Sequence, residues 1–373
     1  YLFKTVKELF FKEKNYFNYL LFFTFWFYPF LHSRTSSENL SLTLFIFAFC
    51  FLFNQIINSN TKNNLFLNFL LGLLLGFSLV IRFNLIFTIL PIFVWIIFFR
   101  FNFYKLLPIF LGVITSLIIG LVIDSINYNQ FNLTYWNYFY WNIIEGRMAA
   151  FGIQPWWYYI PMTIVELAPL LSIFFVFGLI TFWLKKPLSI ISFLTFVTLI
   201  IISFFSHKEI RYIFPIYIFA PFFISFFFEQ FPKMFFKNFF KVLIILSNLI
   251  FLSLTLISPA NGKVSVYNFI FKKEIRDNSI FYIGENPYII NDMEPVYYTK
   301  FLPNIEEIKK ENLNDINFFS DIWLVTNNYQ YFQKIKKFKK CNKVFNSYPE
   351  KIINFNKNWK KLKFNWYISY CEK

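Results

Sequence analysis

Residues 66–99 read FLNFLLGLLLGFSLVIRFNLIFTILPIFVWIIFF, and Arg82 is the only ionisable side chain in the stretch. The apolar runs on either side of it, 66–81 and 84–99, approach the ~20 residues that a helix needs to cross a bilayer core. Buried backbone groups in lipid must be satisfied within the segment, so helices are the expected form. Similar runs lie outward at 15–31, 41–57, 106–123, 160–184, 188–205, 212–229 and 240–257, which makes about nine spans before residue 258. The sequence therefore predicts an all-α polytopic membrane domain over residues 1–259, followed by a smaller domain over 260–373.

Composition points the same way. The chain is 57% hydrophobic, 25% aromatic and 15% charged, whereas soluble domains are roughly 45–50% apolar and about 25% charged. Its 60 Phe residues accompany much Ile, Asn and Lys, all encoded by A/T-rich codons, so they carry no functional weight. The same bias inflates lysine, so the net charge of +16 is weak evidence for a nucleic-acid partner, and none is expected. Three cysteines, Cys50, Cys341 and Cys371, are too few for a disulfide framework, although Cys341 and Cys371 could pair in an oxidising space. The chain opens on Tyr1 rather than Met, so its N-terminus is expected to be missing and no signal peptide can be read.

Lysine and arginine gather on the cytoplasmic side of membrane proteins. Alternate loops carry Lys4, Lys7, Lys12, Lys14, Lys62, Arg100, Lys105, Lys185, Lys186, Lys233, Lys237 and Lys241, against only Arg34, Arg82, Arg147, Lys208 and Arg211 on the other side. The first set is therefore read as cytoplasmic and the second as outer. Ionisable groups squeezed between spans are costly and mark function by default.

The densest outer cluster is Ser206-His207-Lys208-Glu209-Ile210-Arg211-Tyr212-Ile213-Phe214-Pro215. In a helix His207 and Arg211 would share a face, with Lys208 beside Arg211. Such cations suit a phosphate group; the bland reading is a charged turn anchoring two helices. Arg34 opens a second cluster, Arg34-Thr35-Ser36-Ser37-Glu38-Asn39, whose hydroxyls can cap the next helix. Arg82 reads either as a ligand for an anion or as an arginine snorkelling to the interface. The outer loop 124–159 is rich in Trp and Tyr and broken by Asp124, Asn137, Asn142, Glu145 and Arg147. It reads as a surface-lying or re-entrant aromatic segment, as the wall of an outer cavity, or as both. His32 and His207 stand far apart without Cys or carboxylate partners at ligand spacing, so no metal site is expected, and no nucleophile triad is visible.

Beyond Ala260, Ile280–Ile283, Ile322–Val325 and Trp366–Tyr370 read as strands, and Asn304–Leu313 and Asn328–Lys340 as amphipathic helices. This suggests a small α/β domain on the outer side, with an accessory role in stability or in shaping the acceptor site.

The stretch from His207 to Pro215 resembles the His-Lys-Glu-x-Arg-Phe-hydrophobic-Pro signature of glycosyltransferase family 22, polytopic mannosyltransferases of the GT-C type. The other clusters match in order over roughly residues 30–225. Arg34-Thr35 with Ser37 resembles the family's Arg-Thr-x-Ser segment, and Arg82 its arginine ahead of the span that contains Pro91. Asp124-Ser125, Asn137-Tyr138-Phe139, Asn142, Phe151-Gly152 and Pro155–Tyr159 resemble its long aromatic loop. The sequence departs where Glu38 and Ser41 stand in place of the family's Asn and Glu, and where Trp157 replaces a His.

The resemblance implies a GT-C-like fold and inverting transfer of mannose, or a related hexose, from a polyprenyl- or dolichyl-phosphate sugar to a lipid-linked or surface glycan. It assigns His207, Lys208, Arg211, Arg34 and Arg82 to the donor phosphate, and Asp124, Asn142, Trp156 and Tyr159 to the sugar and acceptor cavity. The general base is expected upstream of Tyr1. Such a donor calls for no nucleotide-binding fold, no metal and no other cofactor. The expected site of action is a bacterial plasma membrane, with the endoplasmic reticulum membrane as the alternative. A GT-C enzyme of another family is one rival reading. A lipid or solute transporter is the other; it would show paired broken helices or repeats, and the sequence has neither.

Overall fold

In the computed structural model the chain divides into two compact units, Tyr1–Thr255 and Leu256–Lys373. The structure describes residues 2–5, 15–33, 36–57, 64–100, 102–233, 235–257, 262–273, 275, 280–289, 305–308, 321–335, 341–350 and 365–372.

The first unit is helical. Helices Ser37–Ile57, Leu65–Ile81, Ile86–Phe99, Phe103–Asn127, Pro169–Lys185, Ile190–Ser203, Ala220–Gln230 and Lys237–Ile257 lie where the apolar runs predict them. The expected count of about nine spans is not confirmed. Among the described residues two helices are long and apolar enough to cross a membrane, Phe103–Asn127 and the one that starts at Lys237. The count rises to four if each of two bent pairs is one span: Pro169–Lys185 with Ile190–Ser203, bent by 117°, and Ile210–Tyr217 with Ala220–Gln230, bent by 53°. Part of the difference is length, since the apolar helices Ser37–Phe53, Leu65–Ile81 and Phe83–Phe99 are short; the rest comes from breaks within the apolar runs. Run 15–31 splits into Tyr16–Thr24 and Phe27–His32. Run 160–184 splits at Ala168, whose φ of 74° no helix accommodates. Pro169 follows it, and a proline disfavours helical backbone in the residue ahead.

The phenylalanines fill the core. Phe25, Phe27, Phe45, Phe49, Phe175, Phe182, Phe219, Phe222 and Phe223 are fully buried. Many meet edge to face, as Phe182 and Phe222 do at 5.0 Å, the arrangement that the ring quadrupole favours. Helices Leu65–Ile81 and Phe103–Asn127 cross backbone to backbone. A Cβ on Gly72 would lie 2.0 Å from the Ile109 carbonyl oxygen, and one on Gly112 would lie 2.3 Å from that of Phe69. Small residues one helical turn apart allow such approach in apolar surroundings. On the far side of Phe103–Asn127, Leu107, Leu111, Ile114, Ile118 and Val122 are exposed, a surface suited to lipid.

The second unit carries strands β1 (Ile280–Ile283), β2 (Ile305–Glu307), β3 (Ile322–Thr326), β4 (Cys341–Asn346) and β5 (Tyr367–Cys371). They form one sheet in the order β2-β1-β3-β5-β4. β2, β1 and β3 run parallel, and β5 is antiparallel to both β3 and β4. Helix Gly262–Lys272 packs Val266, Tyr267 and Ile270 against Ile280, Val325 and Ile368. Helix Tyr329–Ile335 contributes Ile335 to a second cluster with Ile283, Ile322 and Leu324. Cys341 and Cys371 are paired in register on neighbouring strands and joined by a disulfide.

The helix expected from Asn304 is instead strand β2 at Ile305–Glu307, where pairing to β1 overrides the helical spacing of Ile305 and Ile308; residues 309–313 lie outside the described residues. The helix expected over 328–340 is present as Tyr329–Ile335, started by the Asn328 side chain accepting from the Gln330 N–H at 2.8 Å; its remainder, 336–340, lies outside the described residues.

Candidate functional site

Three separate chain segments bring charge to one place in the helical unit. Glu38 stands in the first turn of helix Ser37–Ile57, where backbone N–H groups favour a carboxylate. Arg82 caps the C-terminus of Leu65–Ile81, where unpaired carbonyls favour a cation. Arg211 lies in the 3-10 turn Ile210–Ile213, which Pro215 carries into the short helix Phe214–Tyr217.

The two arginines converge on one oxygen. Glu38 Oε1 accepts from Arg82 Nη1 at 2.6 Å and from Arg211 Nη1 at 2.8 Å. Arg82 also donates to Ser37 Oγ at 3.2 Å, and Ser37 Oγ donates to Glu38 Oε2 at 3.2 Å. Arg211 reaches a second carboxylate through Nε, 2.9 Å from Glu209 Oε2, and through Nη2 to the same oxygen. Side-chain exposure separates the partners: Glu38 is 8% exposed, Arg82 14% and Arg211 49%. Arg211 therefore presents its guanidinium outward while Glu38 stays beneath it. Burial alone would raise the Glu38 carboxyl, but its own backbone N–H and the two guanidiniums outweigh burial and hold it below the usual carboxylate range.

The other half of the cluster is tied to the aromatic loop. The Lys208 N–H donates to Gln154 Oε1 at 2.7 Å, and the Gln154 N–H donates to the Ser206 carbonyl at 3.0 Å. Lys208 is buried, and its Nζ donates to the Gln154 carbonyl at 3.0 Å and to the Phe205 carbonyl. Burial pulls its ammonium below the ordinary lysine range. His207 Nδ1 is 3.1 Å from the Gly152 carbonyl, and its Nε2 is 3.6 Å from Glu209 Oε1. Gly152 has φ 105°, which only glycine adopts without strain. The helical face expected for His207 and Arg211 does not form, because the backbone turns helical only at Ile210. Loop-to-loop stitching gathers the cluster instead.

Trp156 and Tyr159 line an apolar cavity of about 250 Å³ with Trp157, Ile160, Leu199, Ile200, Ser203 and Phe204. Tyr159 is buried, and its hydroxyl has no hydrogen-bond partner among the described residues. Asn142 lies in the π turn Tyr140–Ile144 and donates to the Tyr138 carbonyl at 2.9 Å. The Tyr138 hydroxyl donates to Asn84 Oδ1 at 2.9 Å, which fastens the loop beside Arg82. Asp124 sits in the last turns of Phe103–Asn127, near Tyr135 rather than in the Glu38 cluster. Arg147 pairs with Glu145 at 2.6 Å and lies over Trp141. Arg34 lies outside the described residues.

Glu38 is the residue that sequence reasoning missed. In the sequence it falls in a capping segment and departs from the motif. Its signal was a carboxylate between spans on the side that carries Arg82 and Arg211. No cluster of His, Cys, Asp or Glu among the described residues has the make-up of a metal site.

No curated protein and no solved structure matches the chain. The model of the Alg9-like mannosyltransferase family matches residues 1–280. That match takes in the whole helical unit and every residue of the charged cluster. The chain belongs to the Alg9-like mannosyltransferase family and is a membrane glycosyltransferase.

Proposed function

We propose that the protein transfers mannose from a polyprenyl- or dolichyl-phosphate donor to a hydroxyl of a lipid-linked or surface glycan, at the outer face of a bacterial plasma membrane. The observation that carries this reading is the meeting of Arg82 and Arg211 on one carboxylate oxygen, with Arg211 half exposed. Two guanidiniums aimed at one point are the donor set that an anionic oxygen of a phosphate requires. In the reaction the acceptor oxygen attacks the anomeric carbon. The bond from that carbon to the phosphate oxygen breaks, the electron pair leaves with the lipid phosphate, and the hydroxyl proton goes to a base. The new charge on the phosphate falls to Arg211 and Arg82, with His207 in the same turn as Arg211, and this stabilises the transition state; by the sequence resemblance Arg34 is a further donor to it. Lys208 adds its charge from beneath and holds the turn in place. The apolar cavity lined by Trp156 and Tyr159 suits the prenyl chain next to the phosphate, or the face of a sugar ring. Asn142 and Asp124 help shape the loop that covers the acceptor. The Cys341–Cys371 disulfide suits a second unit placed in an oxidising compartment.

Membranes containing the full chain, supplied with radiolabelled polyprenyl-phosphate-mannose and a glycolipid extract, test the reading. Wild type should label the acceptor, while Arg211→Ala and Arg82→Ala should lose most of the transfer. Unchanged donor use in both variants would sink it.

A further inference from the structure

Glu38 makes an unusual ligand arrangement for a phosphate site. A buried carboxylate already holds the point on which Arg82 and Arg211 converge, at 2.6 and 2.8 Å. A phosphate oxygen seeking the same N–H groups competes with it directly. We propose that Glu38 is a positioning residue that acts as resident occupant of the donor-phosphate seat: it holds Arg82 and Arg211 together and gives way when the phosphate arrives. This rests on the donor reading above.

Charge supports the assignment. Arg82, Lys208 and Arg211 stand against Glu38 and Glu209, three positive less two negative, which leaves one net positive charge among these five groups. A lipid phosphodiester carries one negative charge, so the donor brings the site to neutrality. Loss of the sugar leaves a phosphate monoester of about −1.5 to −2. The site then holds excess negative charge, and the displaced carboxylate competes for its arginines again. Glu38 therefore weakens donor binding modestly and speeds departure of the lipid phosphate. It also keeps Arg82 from standing as a mostly buried charge without an anionic partner, a costly condition.

The test uses the full chain in nanodiscs, with farnesyl phosphate as the probe and inorganic phosphate as a second arm. Glu38→Gln removes the competing charge and keeps the shape. It is expected to bind farnesyl phosphate about ten-fold more tightly than wild type, the effect of one nearby unit charge. It should also show a larger thermal shift on adding the probe and stronger product inhibition of transfer. Tightening in both arms assigns the effect to the phosphate group; tightening with farnesyl phosphate alone assigns it to the lipid product. Affinity equal to or weaker than wild type overturns the proposal. If the Gln variant does not fold, Glu38→Asp serves instead: its shorter side chain cannot reach both guanidiniums, and affinity should again rise. Failure here is separable from failure of the donor reading. Equal affinities with transfer still abolished in Arg211→Ala sink only the role of Glu38.

Discussion

The two halves of the turn 206–213 use their cations in opposite ways. In Ser206–Lys208 the positive charge is buried and directed at backbone carbonyls of Phe205 and Gln154. In Glu209–Tyr212 the positive charge of Arg211 is half exposed and directed at two carboxylates from different segments. Residues three apart in one motif thus divide the labour. One fixes the loop through part-buried hydrogen bonds to backbone carbonyls, and the other offers an exchangeable ion pair. The outer pair of Arg211 with Glu209 contributes little to stability, roughly 0–1 kcal/mol, and Glu38 keeps Arg82 when Arg211 turns away, so Arg211 is free to serve a ligand.

The comparison predicts a separation of effects. The largest is on activity: Arg211→Ala should lower kcat/KM for the polyprenyl-phosphate donor about 100- to 1,000-fold, the usual loss of a transition-state donor. Its melting temperature should barely move in differential scanning fluorimetry. Lys208→Met should show the reverse pattern. Leaving the part-buried Gln154 and Phe205 carbonyls without their donor costs about 2 kcal/mol of stability, while the folded fraction loses no more than about ten-fold in donor affinity, the effect of one unit charge. If Lys208→Met leaves stability unchanged and abolishes donor binding, the division of labour is wrong. Gln154→Ala removes one acceptor for the Lys208 N–H, and about 1 kcal/mol of stability should go with it. The smallest effect is in pH. Lys208 has a folded-state pKa below its unfolded value, so the unfolded chain binds more protons between the two. Stability should therefore rise with pH across that window, up to the ordinary lysine value near ~10.4. Melting curves of wild type against Lys208→Met from neutral to alkaline pH should show a steeper rise in wild type, the difference between the two being the Lys208 contribution.

Much of this architecture was legible in the sequence. Apolar runs located the helices, and the ionisable residues between them located the cluster. The span count was not legible, because length along the sequence says nothing about backbone breaks such as the positive φ of Ala168. Pro169 was the available clue. Strand β2 was hidden because three residues carry no period, and its partner β1 lies beyond any local window. The direction of the Lys208 amine depends on the Gln154 turn, far away in sequence, and the partnership of Glu38 with both arginines is equally non-local. Motif order identified which cations belong together. Only packing decides which of them are occupied with backbone and which with other side chains.

The strand order β2-β1-β3-β5-β4 departs from the order of the strands in the chain. β5, the latest strand in the sequence, lies between β3 and β4, and it closes the sheet by pairing with both. Until Tyr367–Cys371 has been synthesised, β3 and β4 each offer an open edge, and Cys341 has no register partner. β2, β1 and β3 can pair as the chain emerges, but β4 cannot join the sheet before β5 does. The sheet is completed in one late step, and a nascent chain stopped short of residue 367 exposes unpaired strand edges, the feature that invites aggregation and degradation.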